Sequence, residues 1–215
     1  MKIKRIGWTS FLLSSSKISL ITDPLLLNAS GVSFPKTSAD IALFTNVKKD
    51  PKKSIILDNE LEKKLVPDSR DTIMEIYMPG EFEVGGMMIR RDVGTSFYMI
   101  DQKTVRVVYL GGIDESFDVE KVKDLGDVDV LIAPVGNSDS FLSFEKLEKV
   151  FSYIDPEILL PCAYAEDGSK EHANLKSKEE FIKHFGFTNV HDESYITVKP
   201  SPKEEDQKSM EVIFL

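Results

Sequence analysis

The sequence VRVVYLGGIDESFDVEKVKDLGDVDVLIAPVG (residues 105–136), followed by SFEKLEKVFSYIDPEILLPCAY (residues 143–164), decides the predicted fold. Three short, continuous apolar runs, beginning near residues 105, 128 and 157, are typical of strands buried on both faces. The two segments between them, 116–127 and 143–154, carry apolar residues at spacings of three and four, which predicts helices. Together they predict two strand-helix-strand crossover units with parallel strands.

In crossover units, functional side chains collect at the carboxyl ends of the strands. Here those ends read LGG (110–112), PVG (134–136) and PCAY (161–164). Few of these residues could bind a metal ion or move a proton. The sequence therefore indicates a fold more clearly than an activity.

The composition fits one globular domain over residues 1–215, since 41% of the residues are hydrophobic and 29% are charged. The formal net charge of −9 predicts weak attraction to nucleic acid and to anionic membranes, so we expect neither as a partner. With Cys162 as its single cysteine, the chain can form no internal disulfide and no zinc cluster built on cysteines. We therefore expect a cytoplasmic protein.

The other elements precede and follow the two crossover units. An opening meander is predicted at 2–6, 10–13 and 18–22, and it ends at Asp23-Pro24 because proline cannot continue a strand ladder. Residues 28–36 are predicted to form a loop. Further strands are predicted at 40–44, 54–57, 72–77, 87–90, 96–100, 195–198 and 210–215, a strand or turn at 79–86, and helices at 59–65 and 177–185. Two packed mixed sheets with helices on their outer faces, an αββα sandwich, follow from this order.

Several short motifs carry a resemblance to a known family. They are GWTSF (7–11), TDP (22–24), ADI (39–41), PGEFEV (79–84), YLGG (109–112), LGDVDVL (125–131) and PVG (134–136). In these motifs the chain resembles the metallo-β-lactamase superfamily, in particular small bacterial proteins proposed to be zinc-dependent hydrolases. The resemblance covers essentially the whole chain, and it implies an αββα sandwich with an active site at one edge, between the sheets.

The metal motif of that family is altered here. The pattern Ser/Thr-His-x-His-x-Asp-His falls on seven consecutive residues beginning at Thr45, of which Thr45 and Asp50 match. Asn46, Lys48 and Pro51 stand where the resemblance places histidines. The ammonium group of Lys48 would repel a divalent cation at ligand distance.

The remaining ligand positions are altered as well. Gly112 stands in place of a metal-binding aspartate, Ala163 in place of a late histidine, and Trp8 in place of an early one. A short turn at 92–95 replaces a loop that carries a further histidine. A catalytic zinc site needs about three protein ligands, and Asp50 alone remains. We therefore expect no metal and no other cofactor.

The histidines and the cysteine have simpler interpretations than a site. His172, His184 and His191 do not fall on ligand positions of the family, so we interpret them as surface or helix-terminal histidines. Cys162 ends an apolar strand, so we interpret it as a buried, unreactive thiol.

Two alternatives stay open at the site edge. Asp23, Asp50, Asp114 and Asp167 either are solvated loop acids, which we favour, or gather to hold magnesium or calcium. Trp8 either fills the former pocket, which we favour, or stacks on a ligand.

Three functional hypotheses follow from these residues. The first is a pseudoenzyme of the fold that binds a protein or a small ligand. The second is a hydrolase, with a rebuilt carboxylate metal site or with metal-free chemistry at Lys48, Asp50, Asp114 or Cys162. The third is a subunit whose exposed edge strand, 210–215, pairs with a partner, a second copy of the chain included. We favour the first.

Overall fold

The computed structural model describes residues 1–47, 53–66, 72–138, 140–166, 174–199 and 210–215. The strands in these ranges are β1 (Lys2–Gly7), β2 (Ser10–Ser14), β3 (Ser19–Thr22), β4 (Thr37–Ser38), β5 (Ile41–Leu43), β6 (Leu65–Val66), β7 (Met74–Ile76), β8 (Gly80–Val84), β9 (Met87–Arg91), β10 (Tyr98–Gln102), β11 (Val105–Tyr109), β12 (Val130–Pro134), β13 (Ile158–Cys162), β14 (Val190–Asp192), β15 (Ile196–Thr197) and β16 (Glu211–Phe214). The α-helices are α1 (Pro24–Ala29), α2 (Ile55–Asp58), α3 (Phe144–Ile154) and α4 (Lys178–Phe185), and short 3₁₀ helices span Leu61–Lys63 and Val119–Val122.

Most of the strands form two mixed sheets. One has the order β15-β1-β2-β3-β5-β7, and the other has the order β14-β16-β13-β12-β11-β10-β9-β8. Strands β11, β12 and β13 are parallel, as the crossover pattern predicts. The inner faces of the two sheets share one buried apolar core, to which Phe11 and Leu20 contribute from one sheet and Ile100 and Leu160 from the other. The predicted αββα sandwich is confirmed.

Helices α3 and α4 cover the outer face of the larger sheet. Leu147 and Phe151 of α3 and Phe181 of α4 are buried against it. Helix α4 begins with a capping box, in which the Ser177 hydroxyl accepts from the Glu180 amide and the Glu180 carboxylate accepts from the Ser177 amide. This local pairing explains why the start of α4 could be read from the sequence.

Residues 54–57, predicted as a strand, instead enter helix α2. The carboxylate of Glu75, on β7, accepts hydrogen bonds from the amides of Ile55 (2.9 Å) and Ile56 (3.1 Å). Ser54 caps the same helix by accepting from the Leu57 amide. A run of three apolar residues does not distinguish a strand from a helix by its periodicity. Here the Glu75 carboxylate, about twenty residues along the chain, selects the helix.

Three further predictions of local structure were wrong. The helix predicted at 59–65 is only the 3₁₀ helix Leu61–Lys63, followed by strand β6. Helix α1 begins at Pro24 and extends into the predicted loop, because proline at the first helical position fits the helix as well as it ends a strand. The helix predicted at 116–127 is reduced to the 3₁₀ helix Val119–Val122. Beyond it, Nη1 of Arg106 donates to the Leu125 carbonyl (2.7 Å), and Gly126 adopts φ +72°.

The prediction that 210–215 forms an exposed sheet edge is also wrong. Strand β16 lies between β13 and β14, and Val212 is opposite both Leu159 and Val190. Strand β14, which the sequence analysis did not predict, forms that edge of the sheet. The backbone of β16 is therefore paired on both sides. None of the helices in the described ranges has the length and apolar character needed to cross a bilayer.

Candidate functional site

Loops from both sheets meet at one end of the sandwich. In the smaller sheet, Trp8 follows β1, Asp23 follows β3 and Thr45 lies just beyond β5. In the larger sheet, Gly112 lies beyond β11 and Ala163 directly follows β13. These are carboxyl ends of strands, where the resemblance implies a site. The fold therefore brings Trp8, Thr45, Gly112 and Ala163 to one end of the sandwich.

Hydrogen bonds at this end join the two sheets through a buried carboxyl group. Oδ1 of Asp23 accepts from the Thr45 amide (2.7 Å), and Oδ2 accepts from the Thr45 hydroxyl (2.6 Å) and from the Tyr109 hydroxyl (2.6 Å). Tyr109 belongs to the larger sheet, while Asp23 and Thr45 belong to the smaller one. We call Asp23, Thr45 and Tyr109 the cross-sheet network.

The glycines after β11 allow the two loops to approach closely. The Gly112 amide donates to the Thr45 hydroxyl (3.2 Å), and Nδ2 of Asn46 donates to the Gly112 carbonyl (2.7 Å). A Cβ atom at Gly112 would lie 2.8 Å from Cδ1 of Leu26, so a larger side chain there would require Leu26 to move. At Gly111, which adopts φ +65°, a Cβ atom would overlap the Thr45 side chain. These two hydrogen bonds thus join the loop after β5 to the loop after β11.

Apolar side chains fill the same end of the sandwich. Trp8 is 9% exposed and packs in one cluster with Leu27, Phe141 and Ala163. Its ring meets that of Phe141 edge-on, with 5.6 Å between the centroids. We call Trp8, Leu27, Phe141 and Ala163 the apolar plug. Two of its members, Trp8 and Ala163, stand at positions where the resemblance places histidines.

The backbone at this end is strained at several residues other than glycine. Trp8 (φ 51°), Asp23 (φ 38°), Asn137 (φ 45°) and Ala163 (φ 51°) all adopt left-handed conformations. Such conformations persist only where surrounding contacts hold them. Asn137 illustrates such a contact, because its Oδ1 accepts from the Phe144 amide (3.0 Å) at the start of α3.

The other candidate residues from the sequence belong to neither the cross-sheet network nor the apolar plug, or they lie outside the described ranges. Cys162 is buried, and desolvation raises the pKa of its thiol to about 12, which leaves it protonated at neutral pH. Asp114 is exposed and accepts from Ser116. His184 and His191 lie on α4 and β14, the former with its ring 4.5 Å from that of Phe144. Lys48, Asp50, Pro51, Asp167 and His172 lie outside the described residues.

Sequence reasoning missed Tyr109 and Phe141, and it considered Asp23 as a solvated loop acid or as part of a carboxylate cluster for magnesium or calcium, not as the buried link between the sheets. Tyr109 lies inside an apolar strand, and a fully buried tyrosine needs a partner for its hydroxyl, which is a signal that could have been used. That partner, Asp23, lies 86 residues away in the chain. No local pattern indicates it.

Comparison with known proteins identifies the family. A sequence profile for the beta-lactamase superfamily domain matches residues 2–163. The chain belongs to the metallo-β-lactamase superfamily. No curated protein matches the sequence significantly.

Solved structures with low sequence identity share the fold. A proposed zinc-dependent hydrolase of the superfamily from Thermotoga maritima is 19% identical, with 100% of this chain and 98% of that one covered and a TM-score of 0.73. A metallo hydrolase from Ignicoccus hospitalis is 13% identical, with 86% and 90% covered and a TM-score of 0.60. A proposed metal-dependent hydrolase from Parabacteroides distasonis is 20% identical, with 86% and 89% covered and a TM-score of 0.52. At these identities the likeness establishes the fold alone.

The described residues do not fit the metal that the family implies. They contain no group of three or more histidine, cysteine, aspartate or glutamate side chains placed to hold an ion. The ligand positions among them carry an indole (Trp8), an amide already bound to a carbonyl (Asn46), a hydrogen atom (Gly112) and a methyl group (Ala163). None of these is a ligand type that zinc prefers.

The buried carboxyl group predicts an unusual pH dependence. Desolvation raises the pKa of Asp23, and the hydrogen bonds from Thr45 and Tyr109, together with the charge of Arg91, oppose the rise. The folded protein therefore holds the Asp23 proton more tightly than the unfolded chain does, and this difference stabilises the fold. The stabilisation is complete below the pKa of about 4 that Asp23 has in the unfolded chain, and it is lost as pH rises through the pKa of Asp23 in the folded protein.

Substituting Asp23→Asn should remove this dependence. An amide oxygen can accept from the Thr45 amide, and an amide nitrogen can donate to the hydroxyls of Thr45 and Tyr109, so the fold should be kept. The unfolding free energy of the variant should therefore rise relative to wild type as pH increases above about 4. Urea denaturation of both proteins at a series of pH values checks this, since other groups cancel in the difference. Parallel curves would contradict it.

Proposed function

We propose that this chain is a member of the superfamily that has lost the catalytic metal site and acts by binding another molecule. On this proposal residues 1–215 form one domain and work in the cytoplasm. Three partner classes remain open, namely another protein, a small ligand and a second copy of the chain. The likeness to proposed hydrolases supports the fold and does not extend to their activity.

The apolar plug is the observation that carries this proposal. A catalytic metal site keeps a polar, open coordination position for water or substrate. Here Trp8 and Phe141 bury aromatic surface at the corresponding end of the sandwich. Two residues of the metal motif are already used within the protein, because Thr45 binds Asp23 and Asn46 binds Gly112. This pattern favours a closed, structural role for the former site.

The alternative is a metal-dependent hydrolase with a rebuilt carboxylate site. Asp50 would have to contribute, and it lies outside the described residues, as does Asp167. Asp23 is committed to three hydrogen bonds within the cross-sheet network. An ion at Asp23 would have to compete with those donors. We therefore favour the binding role over the hydrolase.

Metal analysis distinguishes the two functions. Protein purified without chelator, and again after incubation with zinc, manganese or magnesium followed by desalting, should contain less than about 0.1 metal ion per chain by mass spectrometry, because too few ligands are available. The Asp50→Ala variant should give the same content, since the one matching motif residue would bind no ion by itself.

A zinc protein of known stoichiometry, carried through the same desalting, controls for loss of metal during handling. Near-stoichiometric metal in wild type that falls sharply in Asp50→Ala would overturn the binding role and support the rebuilt hydrolase site.

A further inference from the structure

A buried arginine beside the apolar plug has unused hydrogen-bonding capacity. The Arg5 side chain, on β1, is 7% exposed. Its Nε donates to the Trp8 carbonyl (3.2 Å), and its Nη1 donates to the Tyr164 hydroxyl (3.1 Å) and to the Glu166 carboxylate. Among the described residues, its buried Nη2 has no hydrogen-bond partner. Buried polar groups are nearly always paired, so this one requires an explanation.

A second donor lies against the same guanidinium, at its Nη1. The Tyr164 hydroxyl accepts from Arg5, and a hydroxyl that accepts one hydrogen bond can still donate another. The Tyr164 side chain is largely buried, and the Arg5 guanidinium lies 5.0 Å from its ring centroid. A guanidinium and a phenol hydroxyl that share one small region present positive charge and donors together. This combination suits an oxyanion.

The anion already present is an imperfect partner. Glu166 reaches Arg5 through one carboxylate oxygen at Nη1, whereas a guanidinium can bind a carboxylate or a phosphate through two parallel hydrogen bonds. The Glu166 side chain is 35% exposed, so it can turn toward solvent. By contrast, Arg106 binds Asp101 through two hydrogen bonds, of 2.9 and 3.0 Å, which uses the fork fully.

We propose that Arg5 and Tyr164 form a binding site for an oxyanion, a carboxylate or phosphoryl group, which Glu166 occupies when no ligand is bound. The anion would displace Glu166 and bridge Nη1 and Nη2, with the Tyr164 hydroxyl as a further donor. This inference rests on the proposed binding role and gives its ligand a chemical class. Glu166 then acts as an internal competitor, which lowers the apparent affinity of the free protein.

Titration with two simple anions tests the site. Wild type, Glu166→Gln and Arg5→Lys are titrated with inorganic phosphate and with acetate, at constant ionic strength and with a chelator present, and binding is followed by calorimetry and by the thermal midpoint. We expect Glu166→Gln to bind at least one anion about tenfold or more tightly than wild type, because the competitor is gone. We expect Arg5→Lys to lose that binding, because an ammonium has no fork.

Charge-matched variants at the other arginine control for general electrostatics. Asp101→Asn changes the net charge by the same amount as Glu166→Gln, and Arg106→Lys is the matched control for Arg5→Lys. Neither of these two control variants should change anion binding. A stronger response to phosphate would indicate phosphorylated ligands, and a stronger response to acetate would indicate carboxylates; either supports the site. Equal anion affinity in Glu166→Gln and Asp101→Asn, or no anion binding to either, would overturn it.

Two features of this experiment keep the anion-binding result independent of the folding of Arg5→Lys and of the metal analysis. Should Arg5→Lys fail to fold, the comparison of Glu166→Gln with Asp101→Asn still decides, since both retain Arg5. Because chelator is present throughout, metal retained in the earlier analysis would overturn the proposed function without altering the anion result. An unresponsive Glu166→Gln protein would overturn the anion site alone.

Discussion

Replacing Trp8 with alanine is expected to lower the free energy of unfolding by about 3 to 5 kcal/mol, the cost typical of deleting a buried aromatic side chain. The indole packs at the end of the sandwich against Leu27, Phe141 and Ala163, so its removal leaves a cavity among them. Urea denaturation at constant pH measures the loss. The size of the effect reports how much the Trp8 side chain contributes to the core.

Glycine at the same position gives a sharper expectation. Trp8 adopts φ 51°, a conformation that is costly for alanine and free for glycine. Trp8→Gly should therefore be about 1 kcal/mol more stable than Trp8→Ala, the reverse of the usual order.

Tyr195 provides the matched surface aromatic, being 47% exposed with Lys2 over its ring. Tyr195→Ala should cost less than about 1 kcal/mol. A Trp8→Ala loss no larger than that of Tyr195→Ala would show that Trp8 does not fill the core.

Replacing Asp23 with alanine is expected to cost a similar amount, about 3 to 5 kcal/mol, for a different reason. The substitution removes an acceptor from three donors: the Thr45 amide and hydroxyl, which have no other in the described structure, and the Tyr109 hydroxyl, which keeps the Thr9 carbonyl (3.0 Å). All three lie in the buried region between the sheets, so water cannot easily replace the carboxyl group. Alanine also tolerates the left-handed conformation of residue 23 poorly.

Asparagine separates the hydrogen bonds from the charge. Asp23→Asn keeps an acceptor for the Thr45 amide and is tolerated in left-handed conformations, so it should cost less than about 1 kcal/mol at neutral pH. Chemical denaturation of both variants, side by side, gives the comparison. Equal losses in the two variants would mean that the negative charge, rather than the hydrogen-bond geometry, holds the loops together.

These expectations describe how this end of the sandwich is held together by the described residues. The cross-sheet network joins β3 and β5 to β11, and the apolar plug seals the space beside it. In an enzyme of this fold, a metal ion bound from several loops could serve the same purpose of fixing the loops. Here hydrogen bonds and apolar packing fix them, which agrees with the proposed binding role.

The sequence predicted those elements whose causes are local. The apolar runs that became β11, β12 and β13 and the capping box at Ser177 depend on residues within a few positions of one another. Some predictions were wrong because a distant group decided the outcome, whereas the start of α1 at Pro24 was a local ambiguity of proline. Residues 54–57 enter a helix because the Glu75 carboxylate accepts from the first amides of that helix. In the predicted helix 116–127, only 119–122 are helical, as a 3₁₀ helix, and Arg106 binds the Leu125 carbonyl farther along the same segment.

By itself, the sequence determined the family resemblance, the sandwich and the absence of ligand side chains at Trp8, Asn46, Gly112 and Ala163, since these follow from residue identity and local pattern. Only the tertiary structure decided what those positions do instead. The partners that matter lie far apart in the chain, as with Tyr109 and Asp23, 86 residues apart, or Arg5 and Glu166, 161 residues apart. Contacts over such distances form when the two sheets pack, and no local pattern encodes them.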